Sequence, residues 1–470
     1  MIFVNDPTSP DTERKQPMSL EWQDTIAKMA RSDPNLRFTT LAHRLTPELL
    51  AAAYRRLRRK AAPGPDGVTV EEFGRDLDRN IEKLWYQLID RTYRASPARR
   101  VYIPKPNGKR RPLGIANVED RVVQTAISMV LEPIYEQDFL EFSYGFRPKR
   151  SAKDALESLR RTIDKRPVSV VFEADIRGFF DNLDHAWLRK FLGHRIADRG
   201  LLSLINKVLK SGVVEDGVVQ RGKKGAPQGG PLSPMLANVY LHYVLDLWFE
   251  RHFRRSCDGE AWMVRYADDF VVCFEHRHDA ERFASEVRTR FAEFGLELVP
   301  DKTRLIEFGT EKGGGGPGPD GGNTFNFLGF THYLRQRGRK RWRTARKPSQ
   351  KSRRRFLAEV KQWLRAQMHI PKRYQQRALT LKLRGFYQYF GLRHCMPALW
   401  SMRFHVAGYW ARILRRRSQR AHRKLQWERL KRSAWFQLPR PTRAGKRRQK
   451  KTKRPPLPAQ LSLFGTPSTS

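Results

Sequence analysis

The chain has 470 residues, 39% of them hydrophobic, so it is long enough for two or three domains and rich enough in apolar residues to bury a core. Lysine and arginine number 92 against 48 acidic residues, a formal net charge of +44, and a field of that sign and size points to a polyphosphate partner. No apolar run is long enough to span a bilayer, no signal-peptide core follows a basic start, and the three cysteines form no C-x-x-C pair. These features argue against a membrane protein, a disulfide scaffold and a zinc ribbon, and favour a reducing intracellular setting.

In chain order, TPELLAAAYRRLRRK (46–60) opens with a helix-starting Thr-Pro-Glu and carries a basic face. It ends at AAPGPDGVT (61–69), where proline and glycine force a loop. From 101 to 335 strand-like runs alternate with helical ones. VYIPK precedes EDRVVQTAISMVLEPIY, SVVFEADI precedes DHAWLRKFL, and MVRYADDFVVCF precedes DAERFASEVRTRFAEFG. That alternation predicts an α/β fold. EKGGGGPGPDGG (311–322) reads as a loop between LIEFGT and NFLGFTHYL. Beyond about 335 the reading has no further strands, only basic helices, and KRRQKKTKRPPLPAQLSLFGTPSTS reads as a disordered tail.

Asp268 and Asp269 stand side by side inside the apolar run VRYADDFVV. Burying a charge is costly unless it is paired or binds a metal. A β-hairpin with apolar arms and an acidic tip resolves the conflict. A further carboxylate from a neighbouring strand would complete a two-metal site, with Mg²⁺ ions about 3.5–4 Å apart. SVVFEADIRGFFDNLDH offers Asp175 at the end of a β run, with Asp181 and Asp184 beyond it. An acidic cluster for cations within a basic surround for phosphates supplies the ingredients of phosphoryl transfer.

Taken together, the motifs resemble those of the bacterial group II intron reverse transcriptase/maturase family, from about Ala61 to at least Gly391. They occur in order: AAPGPDGVT, VYIPKPNGKRRPLGIANVEDRVVQ, SYGFRPKRSAKDAL, FEADIRGFFDNLDH, GAPQGGPLSPMLANVYLHYVLD, RYADD, LVPDKTRL, FNFLGF and FYQYFGL. The resemblance implies a right-hand polymerase fold, with fingers and palm carrying a mixed β-sheet on helices and an α-helical thumb/maturase domain after them. The expected boundaries are an N-terminal helical extension at 1–60, fingers and palm at 61–335, thumb/maturase at 336–435 and a basic Pro-rich tail at 436–470. It implies RNA-directed DNA polymerase activity, assistance to splicing of the parent intron RNA, and copying of that RNA into DNA during mobility. A domesticated reverse transcriptase and a non-catalytic splicing factor stand as alternatives.

The same resemblance assigns roles by residue. Asp175, Asp268 and Asp269, with the backbone at Ile176, would hold two Mg²⁺ ions, Mn²⁺ being able to substitute. Phe180, next to Phe179, would pack under the sugar and disfavour a 2′-hydroxyl, against a plain packing role. Gln228 and Gly229 would lie beside the incoming dNTP. Arg111 would hold its triphosphate, with Lys109 or Arg110 helping, since a guanidinium fork suits phosphate. Lys302 would protonate the leaving pyrophosphate. In RQRGRKRWRTARK, Arg337, Arg339, Lys340, Arg341, Arg343 and Arg346 are expected to be exposed and to face RNA, whereas FYQYF and most of the tryptophans read as helix core. The implied partners are group II intron RNA, an RNA template with a DNA or RNA primer, dNTPs and target DNA. A homodimer is compatible with the pattern, no membrane is involved, and the expected location is the cytoplasm, on the nucleoid. Nothing in the chain resembles the family's zinc-bearing HNH nuclease, so cleavage of the second DNA strand is not expected.

Overall fold

The computed structural model of the chain describes residues 21–104, 110–220, 222, 224–226, 229–308, 323–336 and 342–443. In chain order the first elements are α1 (Glu21–Ser32), α2 (Pro47–Arg56), α3 (Val70–Phe73), α4 (Leu77–Ile89), β1 (Ala98–Pro104), β2 (Arg110–Ile115), α5 (Val118–Asp138) and α6 (Ala152–Lys165). Next come β3 (Val170–Ala174), α7 (His185–Gly193), α8 (Arg199–Lys210), β4 (Val213–Glu215), β5 (Val218–Gln220) and α9 (Ser233–Leu241). Then follow β6 (Ala261–Tyr266), β7 (Asp269–Phe274), α10 (Arg277–Glu293), β8 (Arg304–Glu307), β9 (Phe325–Phe327), β10 (Phe330–Gln336) and β11 (Trp342–Pro348). The rest is helical: α11 (Gln350–Ala366), α12 (Lys372–Phe390), α13 (Met396–Arg415), α14 (Gln419–Lys424) and α15 (Trp427–Arg432). Two compact units divide at Gln362 and Trp363, within α11.

Local chemistry sets the helix starts. Thr46 accepts from the Leu49 N–H and Pro47 occupies the first turn of α2, while Thr69 with Glu72 and Ser151 with Asp154 close capping boxes on α3 and α6. The segment 61–69 is a loop, as its proline and glycine content suggests, and its last residue, Thr69, is the cap of α3. In α5, Val122, Val123, Ala126, Ile127, Val130, Leu131 and Ile134 are all fully enclosed. A helix apolar on this many sides belongs in a core, and α1, α2, α8 and α9 surround it.

The strands form three sheets, in the orders β2-β1-β4-β5, β6-β7-β3-β8 and β11-β10-β9. Pairing is antiparallel except between β1 and β4, and helices mix with strands along the first unit, as the alternation leads one to expect. In the second sheet the inner strands β3 and β7 are mostly apolar and buried, with Glu173 half-buried and Asp269 exposed at the strand end, and α10 packs on them.

One expectation fails. Strands do not stop near 335: β10 runs to Gln336, and β11 pairs with it in register from Phe330↔Pro348 to Gln336↔Trp342. WRTARKP has little intrinsic β character. Pairing and docking against α6 override propensity, as tertiary context commonly does in strands.

The second unit is built on α12 and α13. Leu379, Leu383, Phe386, Leu399, Met402, Val406 and Trp410 fill its core. The Trp410 indole N–H donates to the buried Gln375 amide oxygen at 2.9 Å, and Phe436 stacks on the ring at 4.6 Å. FYQYF supplies core residues, as expected, but Trp400 is 44% exposed and Phe404 62%. Arg403, Arg373 and Arg412 lie over Trp400, Tyr374 and Tyr409. Among the described residues no helix is long and apolar enough to cross a membrane.

Candidate active site

Register brings the paired aspartates to their partner. β3 and β7 are antiparallel with Ala174 opposite Phe270, so one further step sets Asp175 abreast of Asp269. The β6–β7 hairpin closes at Tyr266↔Asp269, which leaves Ala267 and Asp268 as its turn. Asp175, Asp268 and Asp269 therefore emerge at one end of the sheet, Asp269 exposed and the other two half-buried. Most of the interior of these strands is buried, so the sheet end is where a carboxylate meets solvent or a cation without a large desolvation cost.

The PDKT segment is stitched to this end. The Val299 N–H donates to the Asp175 carbonyl at 2.9 Å, and Ile176 bridges to Leu298. A 3₁₀ turn over Pro300–Lys302 then aims the Lys302 ammonium at the Asp175 carboxylate, to which it donates a hydrogen bond. One step inward, Arg304 pairs with Glu173 at 2.7 Å. Burial pushes the Glu173 carboxyl up, and the Arg304 guanidinium opposes the shift. Of the other acids in this segment, Asp184 caps α7 by accepting from the Ala186 and Trp187 N–H groups, and Asp181 lies in a 3₁₀ turn.

The remaining site candidates divide. Phe179 is buried against Tyr240, whereas Phe180 is half-buried and its carbonyl accepts from the Ala226 N–H at 2.9 Å. Gly229 has a φ of +114°, and a Cβ there would stand 3.0 Å from the Gly114 carbonyl oxygen on β2. Only glycine permits both the conformation and that approach. The structure thus brings Ala226 to the Phe180 turn and Gly229 to β2, the strand that contains Arg111. Lys109, Gln228, Arg337, Arg339, Lys340, Arg341 and the 311–322 loop lie outside the described residues.

Two cations expected to face RNA do not. Arg346 is 6% exposed and pairs with Glu157 on α6. Arg343 is half-buried and donates to the Asp164 carbonyl, while the Asp164 carboxylate accepts from the Thr344 N–H at 2.8 Å. Arg346 thus faces α6, where the Glu157 carboxylate holds it. A segment read as a solvated basic face is, over 342–348, a docked strand.

Three carboxylates at a shared sheet end are the hard oxygen donors that Mg²⁺ takes, so the residues fit a divalent cation. Among the described residues, the acidic cluster whose ligand atoms fall within 4.8 Å of one another is a different one, Asp258, His278 and Asp279. Asp279 there already accepts from the Asp258 and Gly259 N–H groups and from Arg282. That arrangement clasps a loop onto α10. Sequence reasoning also passed over Arg265, a fully buried cation inside β6, and its partner Asp246. The available signal was an arginine within an apolar strand, which requires a buried carboxylate elsewhere.

Comparison with known proteins gives a consistent result. Residues 103–332 match the family described as reverse transcriptase (RNA-dependent DNA polymerase). The chain is 36% identical over 319 residues to Protein YkfC of Escherichia coli (strain K12), covering 61% of this chain and 84% of that protein. It is 38% identical over 230 residues to the group II intron-encoded protein LtrA of Lactococcus lactis subsp. cremoris, covering 48% of this chain and 38% of LtrA. With nuclear intron maturase 2, mitochondrial, of Arabidopsis thaliana it shares 27% identity over 234 residues, 40% of this chain and 29% of that protein.

Proposed function

The chain belongs to the reverse transcriptase family, in the group II intron-encoded branch, and from that premise we propose that it copies its parent intron RNA into DNA and assists that RNA in splicing. One observation carries the polymerase reading: the strand register that delivers Asp175, Asp268 and Asp269 to one sheet end, with the Lys302 loop fastened beside them.

Reverse transcriptase domains are metal-dependent as a class. In this chain Asp175, Asp268 and Asp269, with the backbone at Ile176, are the groups that would hold two Mg²⁺ ions, or Mn²⁺ in their place. Such ions lower the pKa of a primer 3′-hydroxyl and neutralise a leaving pyrophosphate. The protein's own task is alignment. Phe180 supports the sugar of the incoming dNTP and crowds a 2′-hydroxyl. The Gly229 backbone and the Gln228 side chain flank the nucleotide, and Arg111 with Lys109 grips its triphosphate. Were Asp175 to hold a cation, Lys302 would be released from it, and its ammonium would be the proton donor for the pyrophosphate oxygen.

The net positive charge and the cation-backed aromatics of the second unit suit an RNA partner. We assign intron RNA binding to that unit and to Arg337, Arg339, Lys340 and Arg341. Target DNA, a homodimer and a place on the nucleoid in the cytoplasm belong to the same proposal. The test is primer extension on an RNA template with dNTPs and Mg²⁺, beside the Asp268→Asn, Asp269→Asn variant. Extension by the parent alone supports the reading. A folded, RNA-binding parent that does not extend overturns it and leaves a splicing factor. Splicing of the flanking intron RNA with and without the protein tests the maturase half.

A further inference from the structure

We propose that Arg265 is a positioning residue for the carboxylate-bearing turn, acting through the Ala267 carbonyl; the inference rests on the polymerase reading of that turn. Arg265 lies in β6 with its side chain wholly out of solvent, and every N–H of its guanidinium has an acceptor. Nε donates to Asp246 Oδ1 at 2.7 Å and Nη2 to Asp246 Oδ2 and to Ser143 Oγ, the latter at 2.8 Å. Nη1 donates to Asn238 Oδ1 at 3.2 Å and to the Ala267 carbonyl at 3.0 Å. A guanidinium offers five donors in a rigid plane, so these contacts fix its orientation completely.

The side-chain acceptors come from three places in the chain. Asn238 lies in α9, and Asp246 is delivered by the π-helical turn His242–Asp246 that follows it. Ser143 belongs to the SYGF segment, which is tied to β6 on both sides: the Arg265 N–H donates to the Phe142 carbonyl and the Tyr144 N–H to the Arg265 carbonyl. The Asn238 amide in turn donates to the Gly145 carbonyl at 2.7 Å. Gly145 approaches the turn so closely that a Cβ would fall 2.2 Å from the Ala267 nitrogen.

Ala267 has a φ of +57°, a conformation that residues other than glycine seldom adopt. It immediately precedes Asp268. A hydrogen bond to its carbonyl therefore holds the peptide unit from which the carboxylate projects. Stability by itself does not account for the pair, because a buried ion pair is often no more stabilising than apolar residues of the same volume. Apolar replacements cannot donate to the Ala267 carbonyl.

The experiment follows from that difference. Arg265→Met with Asp246→Leu removes both charges and leaves neither buried alone. It is measured beside the parent and beside Asp268→Asn, Asp269→Asn for primer extension, primer–template Kd, melting temperature and amide hydrogen exchange over 264–272. The double variant is expected to fold, to bind primer–template with unchanged Kd, and to extend with kcat lowered about tenfold to a hundredfold, since small misplacements at a reacting centre carry that penalty. KM for dNTP stays near the parent's, and exchange at the turn speeds up while the interiors of β3 and β7 stay protected. Unchanged kcat and turn exchange in the folded variant would overturn the proposal, as would a lowered melting temperature with kcat intact. Ser143→Ala is the second variant, withdrawing one acceptor and no charge, with an expected fall in kcat of about threefold. If the double variant does not fold, parent-like kcat and exchange in Ser143→Ala overturn the proposal by themselves. A parent that does not extend fails the polymerase reading instead, which the turn-exchange measurement distinguishes.

Discussion

The β6-β7-β3-β8 sheet and the β11-β10-β9 sheet belong to the same unit and handle charge in opposite ways. In the first, the inner strands are Val- and Phe-rich, and acidic groups gather where the strands leave the core. In the second, β11 carries charge along its length, and the carboxylates of Glu157 and Asp164 on α6 meet it. The first sheet thus presents acid to whatever arrives at its end, while the second uses its cations to fasten strand to helix. The role of a charge in a strand is set by what faces it. In one sheet that is the sheet end with the Lys302 loop fastened beside it, and in the other a helix nearly two hundred residues earlier.

This contrast breaks most sharply at the aspartates. Asp268→Asn with Asp269→Asn should lower extension by more than about a thousandfold while primer–template affinity in a filter or anisotropy assay changes little. Retained extension would remove the sheet end from the chemistry. Lys302→Ala should lower the rate about a hundredfold at unchanged affinity, the usual size of a lost proton donor. A rate equal to the parent's would leave Lys302 as a partner of Asp175 and nothing more.

The second sheet should respond in stability. His332 is fully buried in β10, stacked on Phe325, with no hydrogen-bond partner for either ring nitrogen among the described residues. Burial pushes its pKa down to about 3 from 6.5, with Arg346 adding to the shift. A depressed folded-state pKa means the contribution is fully present above pH 6.5 and is lost as pH falls toward 3. Unfolding melts should show about 2 kcal/mol of that loss by pH 5, and His332→Phe should flatten the slope. An unchanged acid slope in the variant would refute the assignment. Smallest of all, Arg346→Met should cost about 1–2 kcal/mol, since Glu157 keeps Arg160 as a partner. RNA affinity should stay within about twofold, the response of a fastening cation rather than a phosphate contact. A large loss of RNA affinity in a variant of undiminished stability would reverse that distinction.

The legibility of the two sheets differed for a physical reason. VRYADDFVV and SVVFEADI announce strands through apolar residues on either side of their charges, and the acids could be matched because both runs break at the same kind of residue. WRTARKP has no such run. Its strand exists because β10 pairs with it and α6 neutralises it, and neither neighbour is local in sequence. Arg265 was missed likewise: its strand was plain, but Asp246, Asn238 and Ser143, which make a buried guanidinium tolerable, come from a π-helical turn, a helix and a loop.

By itself the sequence determined the α/β alternation, the mainly apolar strands, the capped start of α2 and the residue types for a carboxylate site in a basic protein. These follow from periodicity and side-chain chemistry acting over short stretches of chain. The tertiary structure alone decided that Asp175 stands abreast of Asp269, that Lys302 reaches Asp175, and that Arg346 and Arg265 are buried with acids. Register and burial depend on which distant segments share a core, and no local pattern encodes that.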